Sequence, residues 1–174
     1  MATGEGSAEM RLGYITTEGR GAADRCLAGL AEDLAARGLR VAGAVQINRE
    51  TRAERRCDMI LRLLPSGREL RISQALGAGA RGCRLDPGGL EAAVAGVAAA
   101  LETGPEALIL NKFGKQEAEG RGFRPLIGEA VSRGVPVLLA VNLSSLPAFE
   151  VFAEGMAERL PCDRAALARW LQKG

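Results

Sequence analysis

The first 50 residues carry the apolar pattern of a strand, a helix and a second strand. Residues 11–16 form a short apolar run that leads into a glycine-bearing turn, and residues 39–47 are typical of a buried strand. Between them, residues 22–37 repeat apolar side chains at helical spacing, and Gly38 is a typical helix stop. The helix positions predicted to face the core are Cys26, Leu27, Leu30, Ala31 and Leu34. The opening of the chain is therefore predicted to be a βαβ unit.

The remaining sequence alternates between apolar and amphipathic segments in a similar way. In chain order, the pattern predicts a hairpin (59–64 and 68–73 around the turn 65–67), an irregular glycine-rich stretch (73–86), a helix of small residues with Pro87 in its first turn (87–100), a strand (106–111), a charged loop (111–124), a helix (125–134), a strand (135–142) and two closing helices (146–159 and 163–172).

This order of elements indicates an α/β protein. Near-continuous apolar strands followed by amphipathic helices predict a three-layer arrangement, with a mostly parallel sheet covered on both faces and an inserted antiparallel β-hairpin. Residues 1–10 are predicted to be a flexible lead and residues 11–174 a single domain. In such sheets ligands bind beyond the carboxyl ends of the strands. The loops expected to converge there are 17–22, 48–56, 111–124 and 142–147.

The composition excludes several classes of function. The 174 residues include no histidine, which removes Ser-His-Asp and Cys-His nucleophile systems and histidine-ligated zinc. Aromatic residues make up only 3% of the chain, too few for a platform on which unpaired bases stack, so no nucleic-acid partner is expected. The net charge of +2 by itself indicates no particular partner.

The N-terminus and the cysteines predict a cytoplasmic protein with reduced thiols. The start MATGEGSAEM is small and polar, without the pattern of a signal peptide, and the four cysteines are widely spaced. No apolar run approaches the ~20 residues that a membrane-spanning helix needs, so no membrane insertion is expected.

The turn after the first strand lies where a phosphate-binding loop would be, but it lacks that loop's chemistry. The pattern G-x-x-x-x-G-K-[ST] supplies a lysine for the phosphates and a hydroxyl for magnesium. Here Ala22 and Ala23 stand at those two positions, after Gly19, Arg20 and Gly21. The first amides of the following helix still favour an anion. The alternative is that the two glycines only shape a tight turn.

The strand 106–111 ends in residues that suit an anion better than a divalent cation. A nucleotide hydrolase places an aspartate here to hold magnesium, often followed by a catalytic glutamate, whereas this chain has Asn111 and Lys112. Magnesium is therefore not expected as a cofactor. The same two residues match the start of the guanine-reading motif N-K-x-D, but Gly114 replaces its aspartate. The alternative for Lys112 is an ordinary solvated lysine.

Several strings together resemble a known family. RGAADRCLAGLAEDLAARGLRVAGAVQ, ERRCDMILRLL, GCRLD and LILNKFGKQEAEGRGF are similar to a bacterial family of uncharacterised P-loop-related proteins, often encoded near molybdate-transport genes. That family is distantly similar to the cancer-related nucleoside-triphosphatase family, in which the corresponding strand ends in D-E-I-G-x-M-E. The resemblance covers most of residues 11–155 and implies a sheet of the P-loop NTPase type. Among the acidic positions of the nucleotidase pattern, only Glu117 remains.

The segment 111–124 is the richest in candidate binding groups. Basic side chains there could clamp a phosphate or another oxyanion, while an acidic one could orient a water molecule or hold Arg121. The alternative is a solvated charge run that neutralises itself. The candidate residues are Lys112, Lys115, Glu117, Glu119, Arg121 and Arg124.

Two of the cysteines are candidates for a metal or redox site. Cys57 and Cys83 each lie beside arginine, which lowers a thiol pKa, although their separation is not that of a C-x-x-C ligand pair. A carboxylate, a bound oxyanion or a second subunit would have to complete a metal site. Cys26 and Cys162 are better explained as ordinary buried small residues.

The favoured hypothesis is an anion-binding accessory protein that does not hydrolyse its ligand, either a nucleotide phosphate or a molybdate-like oxyanion. The link to molybdenum metabolism is implied only by the resemblance. The ligand-binding residues would be Gly19, Arg20, Gly21, Asn111, Lys112, Lys115, Glu117 and Arg121.

Two other functions stay open. One is a nucleoside-triphosphate phosphohydrolase in which Glu117 positions water and Lys112 or Arg20 stabilises charge. The other is a metal or redox sensor built on Cys57 and Cys83. The expected partner is a small anion, and the small-residue helix 88–100 would allow a homodimer.

Overall fold

A computed structural model describes residues 9–16, 21–50, 57–74 and 84–173, with side chains except at 48–50, 57–58, 74 and 84. The helices are α1 (Ala22–Ala36), α2 (Pro87–Glu102), α3 (Lys115–Ala118), α4 (Arg124–Ser132), α5 (Leu146–Ala153) and α6 (Arg164–Gln172), with a 3-10 turn at Leu143–Ser145 before α5. The strands are β1 (Leu12–Ile15), β2 (Val41–Glu50), β3 (Cys57–Leu64), β4 (Glu69–Arg71), β5 (Ser73–Gln74), β6 (Arg84–Leu85), β7 (Ala107–Phe113), β8 (Val137–Val141) and β9 (Ala157–Arg159).

Seven of these strands form one sheet in the order β4-β3-β2-β7-β8-β1-β9. The five strands from β2 to β9 in that order run parallel, whereas β3 is antiparallel to both β2 and β4. Strands β5 and β6 pair separately. The predicted α/β class with a mostly parallel sheet is confirmed.

Helices cover both faces of the sheet because each strand in its centre is apolar on both sides. β8 is buried at all five positions, and β7 is buried at every position except Lys112. One face packs against α1 and α6, and the other packs against α2, α4 and α5. Burial of this apolar surface is the main favourable contribution to folding.

Helix α1 forms as its periodicity predicts. Its buried residues are the five expected from the sequence: Cys26, Leu27, Leu30, Ala31 and Leu34. α2 begins at Pro87, also as expected, where a residue without an N–H costs the helix nothing, and the Asp86 side chain caps it by accepting from the Gly88 amide at 3.1 Å. α2 turns Leu90, Ala93, Val97 and Leu101 toward the sheet, and the homodimer stays a prediction.

The last part of the chain departs from the prediction of a helix over 146–159. Helix α5 ends at Ala153, since Glu154 adopts a left-handed conformation with φ 50° and Gly155 follows with φ 77°. This reversal lets Ala157–Arg159 pair with β1 as an edge strand. The sequence signal for this stop is Gly155, directly after Glu154, because glycine is the usual residue where a helix ends.

The segment 111–124 is also more ordered than the predicted loop. β7 continues to Phe113, α3 covers Lys115–Ala118, and α4 begins at Arg124. Within the described ranges, no helix is both long enough and apolar enough to span a bilayer.

Candidate functional site

Three central strands end side by side and define one edge of the sheet. Ile15 of β1 and Asn111 of β7 both lie opposite Ala140 of β8, so these positions form a row across three parallel strands. Neighbouring strands lie about 4.8 Å apart, which places the residues after this row within one small area. We call this area the carboxyl edge; it comprises Thr16, Gly21, the first turn of α1, residues 111–114 and Asn142.

The first turn of α1 lies at the carboxyl edge with no side-chain cap. Gly21 precedes the helix with φ 79°, a left-handed conformation that a glycine adopts at no steric cost, and its carbonyl accepts from the Arg25 amide at 3.0 Å. Because glycine has no side chain, no cap oxygen from this position satisfies the first helical amides. Gly19 and Arg20, also expected to bind the ligand, lie outside the described residues.

Asn111 joins the end of β7 to the start of α1. Its amide nitrogen Nδ2 donates to Oδ1 of Asp24, in the first turn of the helix, at 2.7 Å. Asn111 is only 2% exposed, and its own Oδ1 is buried and accepts no hydrogen bond from the residues that the structure describes. An ionised carboxylate only accepts hydrogen bonds, so the amide must turn its nitrogen to Asp24 and leave this oxygen for a donor group.

Lys112 and Asn142 converge on the backbone of Gly114. The position that a Cβ would take on Gly114 lies 3.7 Å from Cε of Lys112 and 3.8 Å from Nδ2 of Asn142. Lys112 is partly exposed, and it lies where the register between β7 and β8 shifts, between Asn111 and Phe113. Asn142 directly follows β8. The stem of a lysine, whose ammonium group only donates, and an amide nitrogen therefore both lie beside Gly114, at the ends of adjacent strands.

Glu117 lies beside these groups but faces the backbone. Its Oε2 accepts from the Gly114 amide at 2.9 Å, and its Oε1 accepts from the Phe123 amide at 3.2 Å. The side chain is 4% exposed, and a Cβ on Gly122 would lie only 2.3 Å from Oε1. Both oxygens of this carboxylate thus hold the segment 114–123 in place, which makes Glu117 a positioning residue.

The other charged groups of the segment lie away from the carboxyl edge, and most of them are exposed. Lys115 is exposed at the start of α3. Arg121 is exposed and forms an ion pair with Glu119. Arg124 lies over the ring of Phe152, with its Cζ 5.0 Å from the ring centroid. The self-neutralising charge run considered above therefore describes Glu119 and Arg121, whereas Lys112 belongs to the carboxyl edge.

A further arginine reaches this edge from β9. Nη2 of Arg159 donates to the hydroxyl Oγ1 of Thr16 at 3.2 Å. Thr16 follows β1 directly, and β9 is the neighbour of β1 in the sheet. This contact places a second basic group near the ends of the central strands.

The candidate cysteine site cannot be placed. The side chain of Cys57 and the whole of Cys83 lie outside the described residues. Among the described residues, no group of three or more Cys, Asp or Glu side chains is arranged to hold a metal ion. The other two cysteines differ from expectation in one respect: Cys26 is buried, but Cys162 is exposed.

Sequence reasoning missed three residues of this edge. Asp24 lies just after the two alanines that were compared with a phosphate-binding loop, and Asn142 ends a predicted strand; both were visible as polar residues at element ends. Arg159 had no such signal, because its segment was predicted to be helical.

The sheet order, the two helix layers and the carboxyl edge define an α/β protein with the fold of P-loop nucleoside triphosphatases. The structure is similar to the solution structure of a human cancer-related nucleoside triphosphatase, with a TM-score of 0.59 over 92% of this chain and 93% of that chain, at 18% identity. This likeness shows a shared fold.

Within this class, the chain belongs to the family described as "Protein of unknown function (DUF2478)", which matches residues 12–170. It is also 39% identical, over 147 residues, to the molybdenum import ATP-binding protein ModC 2 of Bradyrhizobium diazoefficiens. That match covers 84% of this chain but only 16% of the relative, so the chain corresponds to a small part of it. The expected link to molybdate-transport genes stays a prediction.

Proposed function

We propose that this protein binds a small anion at the carboxyl edge, a nucleotide phosphate or a molybdate-like oxyanion, without hydrolysing it. The proposal rests on one observation: at this edge donor groups lie together, whereas the carboxylates are already bonded within the protein. Lys112 and Asn142 bring an ammonium stem and an amide nitrogen together beside Gly114. The carboxylates of Asp24 and Glu117 already accept hydrogen bonds from protein N–H groups.

The donor side of the edge suits an oxyanion. Charge-assisted hydrogen bonds from lysine to an anion are short and roughly twice as strong as neutral ones. The N-terminus of α1 has no side-chain cap and adds the positive end of a helix dipole. Asp24 lies in that same first turn, so its charge disfavours an anion directly on the helix axis. The ligand is therefore expected on the side of Lys112 and Asn142.

The residues present do not fit the magnesium ion that a P-loop hydrolase uses. Mg²⁺ requires oxygen ligands in near-octahedral geometry. Ala23 has no hydroxyl at the position where the phosphate-binding loop supplies one, and Asn111 turns its nitrogen, not an oxygen, to Asp24. Glu117 is held by two backbone amides and is not placed to activate a water molecule. We therefore assign no hydrolytic step to this edge.

Molybdate belongs among the candidate ligands because a relative of this chain is described as a molybdenum import protein. The same relative is described as ATP-binding, so adenine nucleotides are equally relevant. Both kinds of ligand present tetrahedral oxyanion groups, and the experiment below distinguishes them.

Isothermal titration calorimetry of the full chain at low salt tests the proposal, with molybdate, tungstate, phosphate, ADP and ATP as separate titrants. We expect at least one of them to bind, and K112Q to weaken that binding by about tenfold or more, because a hydrogen bond to a charged group contributes about 1.5–3 kcal/mol. The matched control is K173Q, since Lys173 follows α6 at the opposite edge of the sheet.

Two outcomes would contradict the proposal. One is the absence of heat from every titrant at millimolar concentration. The other is magnesium-dependent release of phosphate from a nucleoside triphosphate at an ordinary enzymatic rate, which would instead establish the phosphohydrolase.

A further inference from the structure

Helices α1 and α6 approach each other closely near the start of α6. The guanidinium of Arg164 donates through Nη2 to the Gly29 carbonyl at 3.1 Å, and it binds both carboxylate oxygens of Asp33 at 2.6 and 2.9 Å. A Cβ on Gly29 would lie 2.7 Å from Cζ of Arg164, so a larger residue here would make the guanidinium shift. The contact fixes the segment before α6 against one face of α1.

Two cysteines lie at this same junction. Cys26 is on the α1 face that carries Gly29 and Asp33, one turn before Gly29, and Cys162 precedes Arg164 by two residues. The side chain of Cys162 lies close enough to Cys26 to raise the pKa of its thiol. Cys26 is buried and Cys162 is exposed. The sequence separates them by most of the chain, and only the packing of α6 on α1 brings them together.

The two thiols differ in their accessibility. Burial, followed by the side chain of Cys162, raises the pKa of the Cys26 thiol to about 12. Cys26 is therefore protonated and unreactive in the reduced protein, because the thiolate is the reactive form. The exposed Cys162 is the thiol that a dissolved oxidant reaches first.

We propose that Cys26 and Cys162 are a disulfide-forming pair that locks α1 to the segment leading into α6 under oxidising conditions. The oxidant is a small-molecule disulfide such as oxidised glutathione. The Cys162 thiolate attacks it, forms a mixed disulfide and releases one glutathione thiol. The Cys26 thiol then attacks the Cys162 sulfur and gives up its proton to the departing glutathione sulfur, which leaves as the second glutathione thiol. Two electrons pass to glutathione, and the two thiol protons of the protein end on the two released glutathione thiols.

The disulfide would connect two of the elements that position the carboxyl edge. Cys26 follows Asp24 by two residues on α1, and Asp24 is the partner of Asn111. On the other side, the segment before Cys162 holds β1 through the hydrogen bond from the Leu160 amide to the Tyr14 carbonyl at 2.8 Å. A bond between the two cysteines therefore joins two elements that border this edge, whatever ligand it binds.

Oxidation of the C57S/C83S double variant tests the pairing, because only Cys26 and Cys162 remain. After incubation with oxidised glutathione and alkylation under denaturing conditions, we expect a peptide map with Cys26 linked to Cys162 and a mass loss of two hydrogens. The melting temperature should rise by roughly 5 °C or more, because the bond closes a long loop, and fall back with dithiothreitol. C26S is expected to stop at a mixed disulfide of Cys162 with glutathione.

The same map of the wild-type chain supplies the second readout and needs no substitution. Recovery of Cys26 and Cys162 as alkylated thiols after treatment that oxidises free dithiols would overturn the proposal. Linkage of Cys162 to Cys57 or Cys83 in the wild type would overturn it as well.

Discussion

The carboxylate of Glu117 accepts hydrogen bonds from backbone amides that have no partner in a helix or strand. The turn between β7 and α4 has backbone amides at Gly114 and Phe123 that lie too deep for solvent, and Glu117 accepts from both. Buried N–H groups without partners are costly, so this one side chain removes two such costs. It also fixes Gly114, on which Lys112 and Asn142 converge.

We expect the substitution E117Q to destabilise the protein by about 2–3 kcal/mol, since the amide that replaces one oxygen cannot accept from a backbone N–H, and hydrogen bonds to charged groups contribute about 1.5–3 kcal/mol. Urea denaturation followed by circular dichroism measures the free energy of unfolding. E119Q is the matched control: Glu119 pairs with Arg121 on the surface, so its loss should cost less than about 1 kcal/mol. Equal effects of the two variants would refute the positioning role.

The sequence places Glu117 correctly in a functional segment, but it does not show the direction of its side chain. In the printed string KQEAEGRGFR, Glu117 and Glu119 are equivalent carboxylates two residues apart. α3 turns the first inward and the second outward. This difference arises from the fold around the short helix, which no local pattern encodes.

At the scale of elements, the position where α5 ends determines which strand forms the outer edge of the sheet beside β1. Helix α5 stops at Ala153 because Glu154 takes the left-handed conformation, and the reversal gives β1 its outer partner β9. Arg159 then reaches Thr16. Without that reversal, a continuous helix over 146–159 would leave β1 as the edge strand and remove the basic group.

The left-handed conformation of Glu154 predicts that replacing this residue with glycine stabilises the protein. E154G should raise the free energy of unfolding by about 1 kcal/mol, because a residue with a Cβ pays roughly that cost in the left-handed region and glycine does not. E150G is the control with the opposite sign: Glu150 is exposed inside the same helix, where glycine costs about 1 kcal/mol. Thermal and urea unfolding of both variants measure the effect, and destabilisation by E154G would contradict a cost of the Cβ at this position.

At the scale of the whole molecule, the C-terminal helix joins the N-terminal half through charged groups. Arg164 of α6 and Asp33 of α1 form a two-pronged ion pair across the surface of one apolar layer. The hydrogen bond from Arg164 lowers the pKa of the Asp33 carboxyl below its ordinary value. Because the pKa of this carboxyl differs between the folded and unfolded chain, the free energy of unfolding depends on pH.

The sign of that linkage gives a testable prediction. A carboxyl group with a lowered pKa stabilises the fold fully above its unfolded pKa, near 4, and loses this contribution as the pH falls through its folded value. We expect D33N to lower the melting temperature by roughly 1–3 °C at pH 7, with the difference disappearing as the pH falls through the lowered pKa of the Asp33 carboxyl. Differential scanning calorimetry at several pH values measures it. E91Q on the exposed face of α2 should show no such dependence, and a D33N difference that persists in acid would exclude the ion pair as its cause.

The sequence by itself determined the α/β class, the parallel core strands and the buried face of α1, because apolar periodicity reports directly which side of an element leaves water. It also located the carboxyl edge, since polar residues such as Asn111 and Lys112 end a buried strand. Only the tertiary structure decided which groups come together: Asp24 with Asn111, Lys112 and Asn142 beside Gly114, and, at the junction of α1 and α6, Cys26 with Cys162. These pairs join residues far apart in the chain, and their contacts arise from the register of the sheet and the packing of helices, which local patterns do not record.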